Sequence, residues 1–266
     1  MHHALFLPPF GDFADPRVTA ELAVAAEGAG WDGIFLWDHM WRPPDQVSGV
    51  GDVWISLAAI ASATTRLRLG PGVTPLTRRR PHKVARETVT LDHLSNGRLT
   101  LGIGLGVNSA GELERFGEQT DPVVLGERLD ESLELLLALW SGEEVDHDGP
   151  HFTARGVRFT PGPLQRPRIP IWAAARGINS PKPVRRAARL DGLFPVDTTV
   201  DQLARMLEIV AEERGSMDGF DVAMLVGPGS DLAALERLGV TWAMWEFNRG
   251  ETKADALAQA GAPPPA

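Results

Sequence analysis

Leu67-Arg68-Leu69-Gly70-Pro71-Gly72-Val73 and Leu99-Thr100-Leu101-Gly102-Ile103-Gly104 are two short strand-like runs, each closed by glycine. Between them, Pro81 opens a helical pattern that reaches Leu94 and stops at Ser95-Asn96-Gly97. Proline fits the first turn of a helix, and glycine or asparagine fits the residue after its last turn. A strand, a helix and a strand in this order call for parallel pairing, because the helix carries the chain back to the starting edge.

The same unit repeats in both directions. Towards the N-terminus, Ile34-Phe35-Leu36-Trp37 is a strand followed by a helix over about 53–65. Before it, Ala4-Leu5-Phe6-Leu7 is followed by a helix that Asp15-Pro16 opens and Gly28-Ala29-Gly30 ends. Towards the C-terminus, a helix over about 123–140 leads into an irregular Gly- and Pro-rich stretch, about 142–168, with a hairpin turning at Asp148-Gly149. The strands Pro170-Ile171-Trp172-Ala173-Ala174, Gly192-Leu193-Phe194-Pro195, Val222-Ala223-Met224-Leu225-Val226 and Trp242-Ala243-Met244-Trp245 follow, each with a helical segment behind it. Eight such units in this length predict a (β/α)8 TIM barrel with an irregular insertion before strand five. Residues 1–260 are expected to form one domain, and the Pro-rich 261–266 a disordered tail.

The chain has 266 residues, 43% of them hydrophobic, which is enough for a large core. It has no cysteine, which excludes disulfides, thiolate metal sites and thiol nucleophiles. No apolar run is long enough to span a bilayer, and the N-terminus lacks the pattern of a signal peptide. A cytoplasmic protein is the expectation. The net charge of -9 argues against nucleic acid and anionic membrane as partners and leaves a small-molecule substrate.

Barrel enzymes carry their chemistry just past the C-terminal ends of the strands. That rule selects Phe10 after strand one, Trp37-Asp38-His39-Met40-Trp41 after strand two, and Gly72-Val73-Thr74 after strand three. It also selects Gly104, Gly106 and Asn108 after strand four, Ala175-Arg176-Gly177 after strand five, and Glu246-Phe247-Asn248 after strand eight. Asp38-His39 is the strongest signal, since histidine exchanges protons near neutral pH. A core histidine held by a carboxylate is the alternative. Trp37, Trp41, Phe10 and Asn108 are candidates for a substrate pocket. Gly72-Val73-Thr74 suits an unusual backbone beside a ligand, or a plain tight turn. Arg176 with its neighbouring amides suits a phosphate, or solvent. The basic run Arg78-Arg79-Arg80-Pro81-His82-Lys83 suits an anionic ligand, or equally a solvated helix start or a dimer contact.

Other chemistries find little support. Asp146-His147-Asp148-Gly149-Pro150-His151 has metal-ligating residue types without a ligand spacing, so no metal site is assigned. Gly102-Ile103-Gly104-Leu105-Gly106-Val107 lacks the dinucleotide-binding spacing, and no nucleophile-elbow motif is present.

Several segments, in order, resemble the bacterial luciferase-like superfamily of flavin- or deazaflavin-dependent oxidoreductases. They include Ala25-Ala26-Glu27-Gly28-Ala29-Gly30-Trp31-Asp32-Gly33, Leu36-Trp37-Asp38-His39 and Leu69-Gly70-Pro71-Gly72-Val73-Thr74-Pro75-Leu76. The most specific is Thr90-Leu91-Asp92-His93-Leu94-Ser95-Asn96-Gly97-Arg98, which continues through the strand to Gly104. The resemblance implies a flavin-type ring over the barrel mouth, with Asp38 and His39 beside it and His39 polarising or protonating substrate. It implies a non-proline cis peptide at Gly72-Val73 behind the ring. It places Gly104 and Gly106 by the cofactor's chain, and Ala175, Arg176 and Gly177 by its phosphate. Arg98 would pair with carboxylates below the barrel.

Two departures stand out. Many deazaflavin-dependent members carry a Glu just after strand four, where this chain has Val107-Asn108, and the family commonly has Gly where Ala175 stands. Hydride transfer with coenzyme F-420 is the first expectation, and the basic run would suit its acidic tail. An FMN-dependent monooxygenase fed by a partner flavin reductase is the second, and a non-catalytic flavin-binding protein the third. The family also implies a homodimer.

Overall fold

The computed structural model describes residues 1–247 and 250–265. The chain alternates β1 (His2–Leu7), α1 (Pro16–Ala29), β2 (Gly33–Leu36), α2 (Val53–Ala63), β3 (Arg68–Pro71) and β4 (Thr74–Pro75). Then come α3 (Pro81–Leu94), β5 (Leu101–Gly104), α4 (Pro122–Trp140), and the hairpin β6 (Glu144–Asp148) and β7 (Thr153–Arg158). The rest is β8 (Ile171–Arg176), α5 (Lys182–Ala188), β9 (Gly192–Val196), α6 (Val200–Arg214), β10 (Asp221–Val226), α7 (Leu232–Leu238), β11 (Trp242–Glu246) and α8 (Lys253–Ala260).

The parallel sheet runs β3-β2-β1-β11-β10-β9-β8-β5-β4. Its two ends are one strand, because β3 and β4 are halves of a single pass interrupted at Gly72-Val73. The lower half reaches β5 through Leu69 N–H to Arg98 O (3.1 Å) and Thr100 N–H to Leu69 O (2.9 Å). The upper half pairs Thr74 with Ile103. The sheet therefore closes, and the expected eight-stranded barrel is the fold.

Local sequence sets the helix starts. Asp15, Asp52 and Asp121 accept main-chain N–H groups at the caps of α1, α2 and α4, and Pro16 and Pro122 occupy first-turn positions. Along each strand, alternate residues face in and out. Leu5, Ile34, Leu69, Leu101 and Ile171 point outward into the layer shared with the helices. Ala4, Phe6, Phe35, Trp172, Phe194, Ala223, Trp242 and Met244 fill the barrel. Phe35 stacks on Trp172 at 5.0 Å, and Trp172 lies 5.6 Å from Trp242. At the lower end, Asp221 accepts the indole N–H groups of Trp172 (3.1 Å) and Trp242 (3.2 Å). At the upper end, Trp37, Val73, Val196 and Leu225 are partly buried above this packing and form an apolar floor.

The insertion before strand five contains the expected hairpin. It is pinned to α4 by Glu131, which bonds His147 Nε2 (3.0 Å) and accepts the N–H of Phe152 (2.8 Å). One expectation fails. Arg98 donates to the carbonyls of Ala61, Thr64, Leu67 and Ser95, not to carboxylates, so it ties the end of α2 and the approach to β3 to the turn after α3. The carbonyl of Ala262 accepts the Trp31 indole N–H at 2.9 Å. Among the described residues, no helix is long and apolar enough to cross a membrane.

Candidate active site at the barrel mouth

Adjacent residues at a strand end point to opposite sides, and Asp38 and His39 do so. The Asp38 carboxylate is only 2% exposed and turns towards the segment after β4. It accepts from Arg78 Nη2 (2.9 Å), Arg79 Nη2 (2.7 Å) and the Thr74 hydroxyl. A carboxylate so buried is tolerable only because two guanidiniums face it. Two arginines of the basic run, Arg78 and Arg79, are thereby engaged by Asp38 and are not available to an anionic ligand. Arg80, His82 and Lys83 remain exposed.

His39 turns to the mouth. Its Nδ1 lies 2.8 Å from Glu112 Oε2, and its Nε2 lies 3.1 Å from Arg42 Nη2. Guanidinium only donates, so Nε2 is the acceptor. The proton sits on Nδ1 and is donated to Glu112. The ring packs over Phe10 at 5.6 Å, with Trp37 edge-on at 6.1 Å.

Glu112 is 1% exposed and binds four groups: His39, the Met40 N–H, Arg42 and Arg78. Burial alone would raise its carboxyl. The hydrogen bonds from His39 and Met40 and the charge of Arg78 outweigh that and hold it below the ordinary value. Arg78 spans both carboxylates, reaching Glu112 Oε1 at 3.2 Å. One network of charged groups thus ties together the segments following β2, β4 and β5.

The Gly72–Val73 peptide is cis, as the resemblance implied. A Cβ on Gly72 would lie 2.7 Å from the Phe6 ring, and one on Gly104 would lie 2.8 Å from Val73 Cγ2. These positions keep the floor flat because they carry no side chain. Gly106 has φ +82°, open to glycine at little cost.

A family model described as luciferase-like monooxygenase matches residues 4–231. The chain belongs to the luciferase-like monooxygenase family. It is 36% identical over 206 residues to an uncharacterised protein of Mycobacterium tuberculosis, covering 75% of this chain and 70% of that one. It is 33% identical over 211 residues to an F-420-dependent glucose-6-phosphate dehydrogenase of Mycobacterium avium, covering 76% of this chain and 59% of the dehydrogenase. Its fold matches the F-420-dependent tetrahydromethanopterin reductase of Methanopyrus kandleri with a TM-score of 0.76, at 18% identity, over 98% and 97% of the two chains. Family membership makes this luciferase-like chain an oxidoreductase.

The remaining predicted residues of this luciferase-like barrel sit at the rim. Ala174 and Arg176 continue the inward row of β8 above Trp172. Ala175 is buried in the outer layer, so its methyl group points away from the mouth. Arg176 pairs with Asp197 at 2.9 Å, both largely exposed, and Gly177 has φ +60°. Trp41 lies under the Arg115 guanidinium at 4.7 Å. Asn108 is occupied structurally: its Oδ1 accepts the Leu113 and Glu114 N–H groups. Asn248 lies outside the described residues. Hollows of about 510 and 290 Å3 lie by the loop after β10 and Trp245, with no Lys or Arg among the described residues of their linings. They are apart from His39 and its partners. Among the described residues, no cluster of three or more His, Cys, Asp or Glu could hold a metal ion.

Sequence reasoning missed Glu112 and Arg42. At the place where the family's Glu was sought stands Val107-Asn108, yet a Glu–His pair is present. Ala110 (φ +69°) and Gly111 (φ +75°) turn the chain back and bring Glu112 to His39. Two left-handed residues in succession leave no periodicity to read, and nothing in sequence separates Glu112 from the exposed Glu114.

Proposed function

We propose that the protein transfers hydride between coenzyme F-420 and a small organic substrate, with His39 moving the accompanying proton and Glu112 supporting it. The observation that carries this reading is the His39–Glu112 pair set above an apolar floor. The relatives named F-420-dependent glucose-6-phosphate dehydrogenase add weight on the side of the cofactor.

The residues present fit such a cofactor. Trp37, Val73, Val196 and Leu225 would lie under a planar ring. Gly104 and Gly106 would leave room for the chain, and Arg176 and Gly177 would take the phosphate. The Arg176–Asp197 pair is exposed and so holds Arg176 only weakly. Ala175 does not crowd that place, since its methyl group faces the helices. When bound, the deazaflavin supplies a ring carbon that accepts or returns hydride.

The chain's own part is proton handling. Nδ1–H of His39 is held on the Glu112 carboxylate, which leaves Nε2 to accept a substrate hydroxyl proton. The imidazolium so formed keeps its Nδ1–H on Glu112 and is stabilised there. Phe10 and Trp37 shield the ring from water. Asp38 acts at one remove, by fixing Arg78 and hence Glu112. We place this activity in the cytoplasm, on the cysteine-free sequence, with residues 1–260 as one barrel domain.

Separate titrations with F-420 and FMN, followed by fluorescence, test the reading. Tight binding of F-420 alone supports it. Tight binding of FMN alone points to monooxygenase chemistry with a partner reductase, and binding of neither overturns the reading. His39→Ala is expected to abolish turnover and leave cofactor affinity unchanged.

A further inference from the structure

Arg42 is 3% exposed at its side chain and belongs to the loop after β2. Its Nη1 donates to Ser109 O at 3.0 Å and approaches Glu112 Oε2 at 3.4 Å. Its Nη2 donates to His39 Nε2 at 3.1 Å. The nitrogen that a substrate hydroxyl would use therefore already has a donor. A charged donor on a half-buried imidazole holds its lone pair more strongly than water does.

We infer that Arg42 is a positioning residue that caps the Nε2 lone pair of His39 and must leave it before substrate can bind there. A consequence comes from the same geometry. Arg42 and Glu112 hold the imidazole from both sides, so the Nε2 lone pair is kept facing the guanidinium. A substrate hydroxyl then takes over the place of a guanidinium N–H, one donor replacing another. The second half of this inference rests on the proposed function, whereas the cap itself does not.

The cap can be read without cofactor. Diethylpyrocarbonate acylates an imidazole through a free lone pair and can be scored histidine by histidine by mass spectrometry. The full chain and three variants, Arg42→Met, Arg42→Gln and Arg42→Lys, would be treated at pH 8. In the parent chain His39 should react slowly. Arg42→Met, which has no donor, should speed His39 acylation about tenfold or more, the worth of a hydrogen bond to a charged group. Arg42→Gln should be intermediate, and Arg42→Lys should stay slow. Exposed His82 should react equally in all four proteins and serves as the internal rate standard, with circular dichroism reporting the fold.

Equal His39 rates in the parent, Arg42→Met and Arg42→Gln would overturn the inference. So would fast acylation of His39 in the parent. If Arg42→Met fails to fold, the Arg42→Gln and Arg42→Lys comparison carries the same decision. A failed F-420 titration would remove the proposed function and leave this result standing, so the two are separable.

Discussion

Glu112→Gln is the most informative single change. The carboxylate is 1% exposed and takes four donors, from His39, Met40, Arg42 and Arg78. Glutamine keeps the shape, but its one carbonyl oxygen cannot serve all four, and its amide must face donors. Arg78 retains Asp38, whereas among the described residues Arg42 keeps the Ser109 carbonyl and the imidazole and loses this carboxylate. Leaving a buried charge without its counter-ion costs about 3–5 kcal/mol. At roughly 2 °C per kcal/mol for a chain of this size, Tm should fall by about 6–10 °C. The assay is thermal unfolding by circular dichroism at pH 7, beside kcat/KM where a substrate is in hand.

The sign with pH follows from the direction of the shift. Glu112 is held below its ordinary value of 4.5 when folded. Its ionised form therefore stabilises the fold above that value, and the contribution is lost as pH falls through the lower, folded value. The gap in Tm between the parent chain and Glu112→Gln should be full at pH 7 and narrow on acidification below about pH 4. A gap under about 1 kcal/mol at pH 7, or one that widens in acid, would refute the charged network as a stabilising unit.

Three further outcomes are expected. Asp38→Asn leaves Arg78 and Arg79 without their shared carboxylate, so the urea midpoint should fall by the equivalent of about 3–5 kcal/mol; an unchanged midpoint would count against it. Gly104→Ala places a methyl group against Val73, costing about 1–3 kcal/mol by overpacking, and should weaken F-420 quenching; undiminished affinity would remove Gly104 from the cofactor's path. Glu131→Gln loosens the hairpin from α4, and limited proteolysis between Asp148 and Arg155 should quicken while the barrel stays intact.

The barrel was legible because its signals are local. Pro81, Asn96-Gly97 and Asp15-Pro16 mark helix ends by backbone chemistry, and the alternation in Ile171-Trp172-Ala173 fixes the inner and outer faces of a strand. The strand-end rule also found His39 and the Gly72–Val73 break. It could not say which of Asp38 and His39 faces the mouth, because alternation gives only opposite directions and the tertiary partners decide between them. Arg78 and Arg79 looked like surface charge because sequence shows a run of cations and not the buried carboxylate facing it. Glu112 and Arg42 lie in irregular loops, and their meeting depends on long-range packing between segments about 70 residues apart.

The aromatic packing inside the barrel has a kinetic consequence. With Phe6, Phe35, Trp172 and Phe194 filling the middle and Asp221 at the lower end, the barrel is packed shut from below and its floor is reached only from the mouth. A planar ligand lying on that floor would enter and leave by the one face.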